Sequence, residues 1–321
     1  MRTEGREKGM PSKEYILGLD IGGTKTAAIL GNHDGELFLR SSFPTRPDRG
    51  FDDTFSDLLI HAADVLSEAV KLGKPAACIS VSIGGPMDIE KGIIHSPPNL
   101  PHWDDIPLKE MLEARFEMPV HIEHDGNAGA LAEWFFGAAK GARNVIFLTM
   151  GTGFGGGLIL DGRLYRGTTS LAGEVGHIRL ADTGPVAFGK VGSWEAFCSG
   201  TGIGRLAAHR FPERWKDGEV TPPVLAELAE TGDADALAVF NEVGRVLGRG
   251  LAILLDILNP EVIVIGSLAV RLGDLVLTPA GQVMEQEALP GAFKACRIVP
   301  AALGEKLGDI AALCAAIAAK R

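Results

Sequence analysis

Apolar positions along this chain fall into two similar series. In the first, residues 15–21 and 26–30 are strand-like runs on either side of a glycine turn, and 35–43 is a third run. Residues 51–72 then carry Phe55, Leu58, Leu59, Ala62, Val65, Leu66, Ala69 and Val70 at helical spacing, and Gly73 ends the stripe. Ala76–Ile83 is a short buried strand that stops at Gly84-Gly85-Pro86. A helix over Ile106–Phe116, a strand over Val120–Glu123 and a helix over Asn127–Phe136 follow. The second series predicts strands at 145–150, 157–161 and 175–180 and helices at 195–210 and 234–258. Strands at Val262–Ile265 and Arg297–Pro300 and an Ala-rich helix at Ile310–Lys320 close it. Each half runs three strands and then alternating helices and strands, an α/β pattern. In such sheets ligands gather beyond the carboxyl ends of the strands, where Asp20, Gly84, Asp125, Gly151 and Gly266 fall.

The glycine turns of the two series lie about 130 residues apart, the length of one domain. The first reads Asp20-Ile21-Gly22-Gly23-Thr24-Lys25 and the second Gly151-Thr152-Gly153-Phe154-Gly155-Gly156-Gly157. Bare backbone lets N–H groups approach phosphate oxygens, and Thr hydroxyls add donors. The second turn is no P-loop, because Gly-Lys-Ser/Thr is missing, and no dinucleotide fingerprint, because a strand follows rather than a helix. A repeated hairpin of this kind predicts two similar lobes holding a nucleoside triphosphate in the cleft between them.

Length and composition agree with that picture. A chain of 321 residues exceeds the usual single core. It is 46% apolar and 22% charged with 42 glycines, which is globular and rich in turns. A net charge of −10 and the lack of a Lys/Arg stripe disfavour nucleic acid as a partner. The first thirteen residues have no apolar core of a secretory signal and are expected to be disordered, with Met10 an equally good start. The apolar stretch from Gly250 to Leu258 is too short to span a bilayer. A cytoplasmic protein with no membrane partner is the expectation. Cys78, Cys198, Cys296 and Cys314 are widely spaced in apolar runs and read as core thiols.

Candidate chemistry clusters at the strand ends. A carboxylate beside a phosphate site needs an intervening cation, so Asp20 reads as a Mg²⁺ ligand through water, with a turn-capping Asp as the alternative. Lys25 can cap phosphate charge or be a solvated strand Lys. Asp125, in Glu123-His124-Asp125-Gly126-Asn127, precedes a helix whose N-terminus favours its ionised form. It reads as the general base for a hydroxyl nucleophile in phosphoryl transfer, or as a plain N-cap. Asn127 can bind a neighbouring hydroxyl. Asn99 is displayed by the proline-fixed loop Ser96-Pro97-Pro98-Asn99-Leu100-Pro101 and suits a polyol, or makes a simple Asx turn. Glu174, His177 and Glu195 supply the mixture of donors and acceptors that sugar hydroxyls need.

These motifs together resemble the ROK family of sugar kinases and repressors, a branch of the actin–hexokinase–Hsp70 fold, over residues from about 15 to 317. Asp20–Lys25 resembles the family's first phosphate motif and Gly151–Gly157 the second. Ser96–Leu100 resembles the sugar loop, and Glu123–Ala128 the catalytic Glu-Asn-Asp-Ala-Asn segment. Asn259–Ser267 resembles the adenosine-side strand and turn. The resemblance implies an α/β, two-lobed actin-like ATPase (ribonuclease H-like) fold with the ligand cleft between lobes. It places the N-terminal lobe at 14–126 plus 309–321 and the C-terminal lobe at 127–308. It implies Asp125 as base, Asp20 near Mg²⁺, and Asn99, Asn127, Glu174, His177 and Glu195 on the sugar. Gly22, Gly23, Thr24, Lys25, Gly151, Thr152 and Gly153 then face ATP phosphates, and Gly266 faces adenosine. A homodimer is expected.

One stretch departs from the family pattern. Many members carry Cys-Gly-Cys-Gly-x-x-Gly-Cys-x-Glu, with three Cys and a His on zinc. Here Val186, Phe188 and Ser193 stand at the three Cys positions of Val186–Glu195. Thiolates supply most of such a site's affinity, so no zinc is expected. Val186, Phe188 and Trp194 are instead expected to form an apolar staple that orients His177. The reading is an ATP-dependent hexose kinase, acting at the C6 hydroxyl. N-acetylglucosamine, N-acetylmannosamine and fructose are alternative substrates. A sugar-sensing regulator is the alternative of another class, against which stand the acidic charge and the roughly fourteen residues before the first strand, too few for a helix-turn-helix module.

Overall fold

The computed structural model describes residues 14–321; the expected disorder of residues 1–13 lies outside the described residues. By internal contacts the chain divides into two compact units, one ending at His124 and completed by Gly308–Arg321, the other spanning Asp125–Leu307. In chain order the first contains strands β1 (Tyr15–Ile21), β2 (Lys25–Asn32) and β3 (Leu37–Pro44), helix α1 (Phe51–Lys71) and strand β4 (Ala76–Ile83). A small hairpin, β5 (Met87–Asp88) and β6 (Ile93–Ile94), precedes helix α2 (Leu108–Phe116) and strand β7 (Val120–His124).

The second unit starts with helix α3 (Asp125–Phe136), followed by strands β8 (Val145–Met150), β9 (Phe154–Leu160) and β10 (Arg163–Tyr165). Next come the hairpin β11 (Val186–Ala187) and β12 (Lys190–Val191), and helices α4 (Trp194–Cys198), α5 (Gly200–Arg210), α6 (Pro222–Glu230) and α7 (Ala234–Leu258). Strand β13 (Val262–Ile265), helices α8 (Leu268–Leu272), α9 (Asp274–Glu287) and α10 (Pro290–Ala295), and strand β14 (Arg297–Pro300) complete the order. Helix α11 (Leu307–Ala319) returns the chain to the first unit.

The two sheets have one topology. The first is ordered β3-β2-β1-β4-β7 and the second β10-β9-β8-β13-β14. In each, the first three strands are antiparallel and the last two run parallel to the third. The repeat seen in the hydrophobic pattern is therefore a repeat of architecture. Each sheet also has its own core. Leu17, Leu19, Ile79, Val81 and Trp103 are buried in the first, and Ile146, Leu148, Phe197, Phe240 and Ile263 in the second. Among the described residues no helix is long and apolar enough to cross a membrane. The four cysteines are free, and burial pushes the Cys198 and Cys314 thiols far up.

Helix α11 lies on the β1–β2 hairpin. Ala312 packs with Ala27 and Ile29, and the Ala316 amide donates to the Ser80 hydroxyl at 3.2 Å. In the second unit α3 lies on β9 at backbone distance. A Cβ on Gly126 would stand 2.7 Å from the Gly156 carbonyl oxygen, and one on Gly157 would stand 2.5 Å from the Gly126 carbonyl oxygen. The end of α3 is tied down by the fully buried Glu133. Its carboxylate accepts the amides of Ala138 (2.7 Å), Leu303 (3.0 Å) and Ala302 (3.2 Å).

Three expectations are corrected. Residues 175–180 form no strand: Val175–His177 is a 3-10 turn laid against the start of β9, and a Cβ on Gly176 would overlap the Phe154 carbonyl. The helix expected over 195–210 is two helices, because Ser199 is extended and caps α5 by accepting the Gly202 amide at 2.9 Å. The second hairpin is shorter than it reads. Pairing of Met150 with Phe154 confines the turn to 151–153 and puts Gly155–Gly157 inside β9. Helices α6, α8, α9 and α10 were not anticipated.

The α3–β9 approach yields a paired prediction. Gly157→Ala forces a methyl against backbone and is expected to destabilise the protein by about 1–3 kcal/mol, the usual effect of overpacking. Gly155→Ala, with nothing within 4 Å of its Cβ, is expected to be near neutral. Denaturant melts of both variants check this; equal effects would contradict it.

Candidate functional site

The first hairpin is shaped by bonds to its carbonyls. Gly22 N–H donates to the Lys25 carbonyl at 3.1 Å, closing the turn. Thr45, fully buried, donates its hydroxyl to the Gly22 carbonyl at 2.6 Å and its amide to the Thr24 carbonyl at 3.0 Å. With the carbonyls engaged, the amides of Gly23 and Thr24 have no acceptor among the described residues. Thr24 and Lys25 are exposed, and Lys25 makes no ion pair among the described residues. Asn99, on its exposed loop, backs this hairpin: a Cβ on Gly23 would stand 2.7 Å from the Asn99 carbonyl oxygen.

Asp20 is half-buried at the end of β1. A Cβ on Gly308 would stand 2.8 Å from its Oδ2, so the glycine in the first turn of α11 keeps space open at the carboxylate. An acidic group three residues before the first of the Gly23 and Thr24 amides fits a hydrated divalent cation next to phosphate.

The second hairpin repeats the same logic. Gly151 N–H donates to the Gly153 carbonyl at 3.0 Å, and the Gly151 carbonyl accepts the Gly200 amide at 2.7 Å. The amides of Thr152 and Gly153 have no acceptor among the described residues. Consecutive backbone donors left open in a tight turn form an anion-binding concavity. At the end of β13, Gly266 is buried and donates to the Leu148 carbonyl at 2.8 Å, beside the same hairpin. Ser267 follows with φ of 57°, and its hydroxyl lies 3.4 Å from that of Thr149.

Four of the expected residues sit on elements that pack against β9. Asp125 is exposed at the first position of α3, and its Oδ1 accepts the Gly126 amide at 2.7 Å. The α3 N-terminus is set by the contact of Gly126 with Gly156. Gly173, with φ of 97°, lies against the same Gly156 carbonyl and carries half-buried Glu174 next to it. Glu195, second residue of α4, accepts the Phe154 amide at 2.9 Å, and its Oε2 would stand 3.1 Å from a Cβ on Gly153. Burial pushes the Glu195 carboxyl above its usual range, offset by the Phe154 amide and by His177. Asn127, in the first turn of α3, is buried at 1% exposure. Asn99 belongs to the first unit.

His177 is exposed at the end of the 3-10 turn. Its ring stacks on Phe188, with centroids 5.3 Å apart and planes 19° apart. The expected three-residue staple is thus corrected. Val186 is 46% exposed, and Trp194 is fully buried in the core against Phe154. Among the described residues no group of three or more His, Cys, Asp or Glu is placed to hold a metal ion. Sequence reasoning missed Thr45 and Lys190. Lys190 donates to the His177 carbonyl at 2.6 Å. Thr45 lies 23 residues from the carbonyl it serves, beyond any local motif.

Comparison with known proteins agrees with the motifs. The model of the ROK family matches residues 16–320. A glucokinase of Halalkalibacterium halodurans is 32% identical over 314 residues, covering 93% of this chain and 94% of that protein. A xylose repressor of Caldicellulosiruptor bescii is 31% identical over 312 residues, covering 92% of this chain and 77% of the repressor. The structure of a ROK family glucokinase from Streptomyces griseus in complex with glucose and AMPPNP is 30% identical with a TM-score of 0.77, covering 96% of this chain and all of that one. The two-lobed actin-like α/β fold implied by the motifs is the fold of these kinases. The chain belongs to the ROK family.

Proposed function

We propose that the chain is a sugar kinase that transfers the γ-phosphoryl group of ATP to a hexose, at its C6 hydroxyl. What carries the reading is the pair of hairpins whose carbonyls are bonded inward while two successive amides stay open. Such amides are donors for phosphate oxygens. The glucokinase relatives support it.

In this reading the sugar oxygen attacks the γ-phosphorus as the bond to the ADP oxygen breaks. Asp125 orients the hydroxyl and takes its proton. Transfer passes through a loose transition state, so positioning and charge stabilisation dominate. The amides of Gly23 and Thr24 and those of Thr152 and Gly153 bind phosphate oxygens, Lys25 adds a cation, and Gly22 and Gly151 shape the turns. Gly266 lets adenosine approach. Asp20 would hold Mg²⁺ through water, and the bound ion neutralises phosphate charge. Glu174, His177 and Glu195, with Asn99 and Asn127, hold the sugar hydroxyls. A free sugar as partner, a homodimer and a cytoplasmic setting belong to the same proposal. The xylose repressor among the relatives keeps a second reading in play, a regulator that binds sugar without phosphorylating it. Sugar-dependent ADP release separates the two.

Two outcomes are expected. Asp125→Asn leaves sugar affinity within a few-fold and lowers kcat by roughly 10²–10⁴ for the lost base; coupled ADP release from MgATP over a panel of hexoses and N-acetylhexosamines measures it, and activity within about threefold of the parent would sink the assignment. Glu195 gives a pH test. A carboxyl raised by burial contributes most to stability below the usual carboxylate range and loses that contribution as pH rises through its folded pKa. Glu195→Gln keeps the acceptor for Phe154 without the charge. Its stability relative to the parent is therefore expected to improve between about pH 4 and pH 8, while its KM for sugar rises. Melts across pH showing no such trend would contradict the burial account.

A further inference from the structure

We propose that the β11–β12 hairpin is a clasp that fixes the His177 imidazole for the sugar, with Phe188 and Lys190 as positioning residues; this rests on the kinase reading above. The two turn residues, Phe188 and Gly189, both have positive φ, 49° and 69°. A two-residue turn of that kind favours Asn-Gly, Asp-Gly or Gly-Gly. Phe is a poor choice for its first position, since a bulky residue rarely adopts left-handed backbone. The side chain is also 54% exposed, so core packing does not account for it. A residue that breaks the local rule without a packing gain marks a functional position.

The contact it makes supplies the reason. The Phe188 ring lies nearly parallel to the His177 ring at 5.3 Å. Neither ring nitrogen of His177 has a hydrogen-bond partner among the described residues. Stacking holds a ring by its face and leaves both edges for a ligand, which hydrogen bonding to a protein group cannot do. Lys190, across the same turn, holds the His177 backbone through its carbonyl at 2.6 Å. The hairpin has a fixed footing, because Arg205 of α5 donates to the Val186 carbonyl at 3.2 Å. His177 is thereby gripped at ring and backbone by one short element. The ring stands within electrostatic reach of Glu195, so the clasp aligns the two groups proposed for the sugar.

Phe188→Asn tests this without endangering the fold, because Asn suits the turn better than Phe. The KM for sugar is expected to rise about 3–10-fold, the effect of one lost aromatic stack, with the KM for MgATP unchanged and kcat altered less than KM. Phe188→Trp is expected to restore the parent KM, and Lys190→Met to raise it in the same direction. The ring-proton resonances of His177 are expected to move in Phe188→Asn as the ring current is lost. An active kinase whose sugar KM stays within about twofold in Phe188→Asn overturns the clasp and leaves the kinase reading standing. Absence of sugar turnover in the parent protein overturns the kinase reading and the clasp's role in sugar binding with it. Unmoved His177 resonances overturn the stack itself.

Discussion

The backbone contact between α3 and β9 governs the geometry of the proposed site. Gly126 and Gly157 let helix and strand approach until carbonyl oxygens stand where side chains would be. Asp125 is the residue before Gly126, so its carboxylate is placed by that contact and not by a flexible loop. Gly173 uses the same stretch of β9 from another direction and brings Glu174. Any added methyl there meets backbone, which cannot repack as a side chain can. An overpacking effect of about 1–3 kcal/mol is a large share of a typical stability of 5–15 kcal/mol. Gly156 and Gly157 of this strand thus act as a positioning device for the residues of the proposed site.

In the proposed site, stability and function pull against each other at Glu195. Its carboxyl is raised by burial, so its ionised form is disfavoured in the fold. A neutral residue would pack with less strain on the electrostatics. What the charge would add in the proposed site is a stronger acceptor beside the Gly151–Gly153 turn, joined to it through the Phe154 amide. Perturbed carboxyls concentrate at functional sites for this reason. The hairpins follow a similar principle. Their carbonyls are satisfied by Thr45 and Gly200, which orders the turns while two amides in each have no acceptor among the described residues.

Much of the fold was legible because each long element carries its own period. The stripe of α1 and the run of α7 were read within a few residues, as were β1, β4, β8 and β13. Short elements failed for a physical reason. Residues 177–180 alternate like a strand, but Val175–His177 is a 3-10 turn and the extended part after it makes only an isolated bridge, from Arg179 to Ser193. Ser199 breaks a helical pattern through its cap, which periodicity does not register. At the site, residue types were legible but partners were not. Glu195 was read as a sugar ligand, yet its bond to Phe154 spans 41 residues. Phe188 was read as part of an apolar staple, whereas only its ring meets His177 and Trp194 goes to the core. Which pairs meet is set by tertiary packing, and a single sequence holds that only indirectly.

The most direct measurement is phosphorus-31 NMR of the protein incubated with MgATP and glucose. The account predicts loss of the ATP γ-resonance with matching growth of ADP and of a phosphoester resonance split by the two C6 protons, and no change when sugar is omitted. A folded protein that leaves ATP untouched with glucose and every other hexose or N-acetylhexosamine, or that releases only inorganic phosphate, would contradict it.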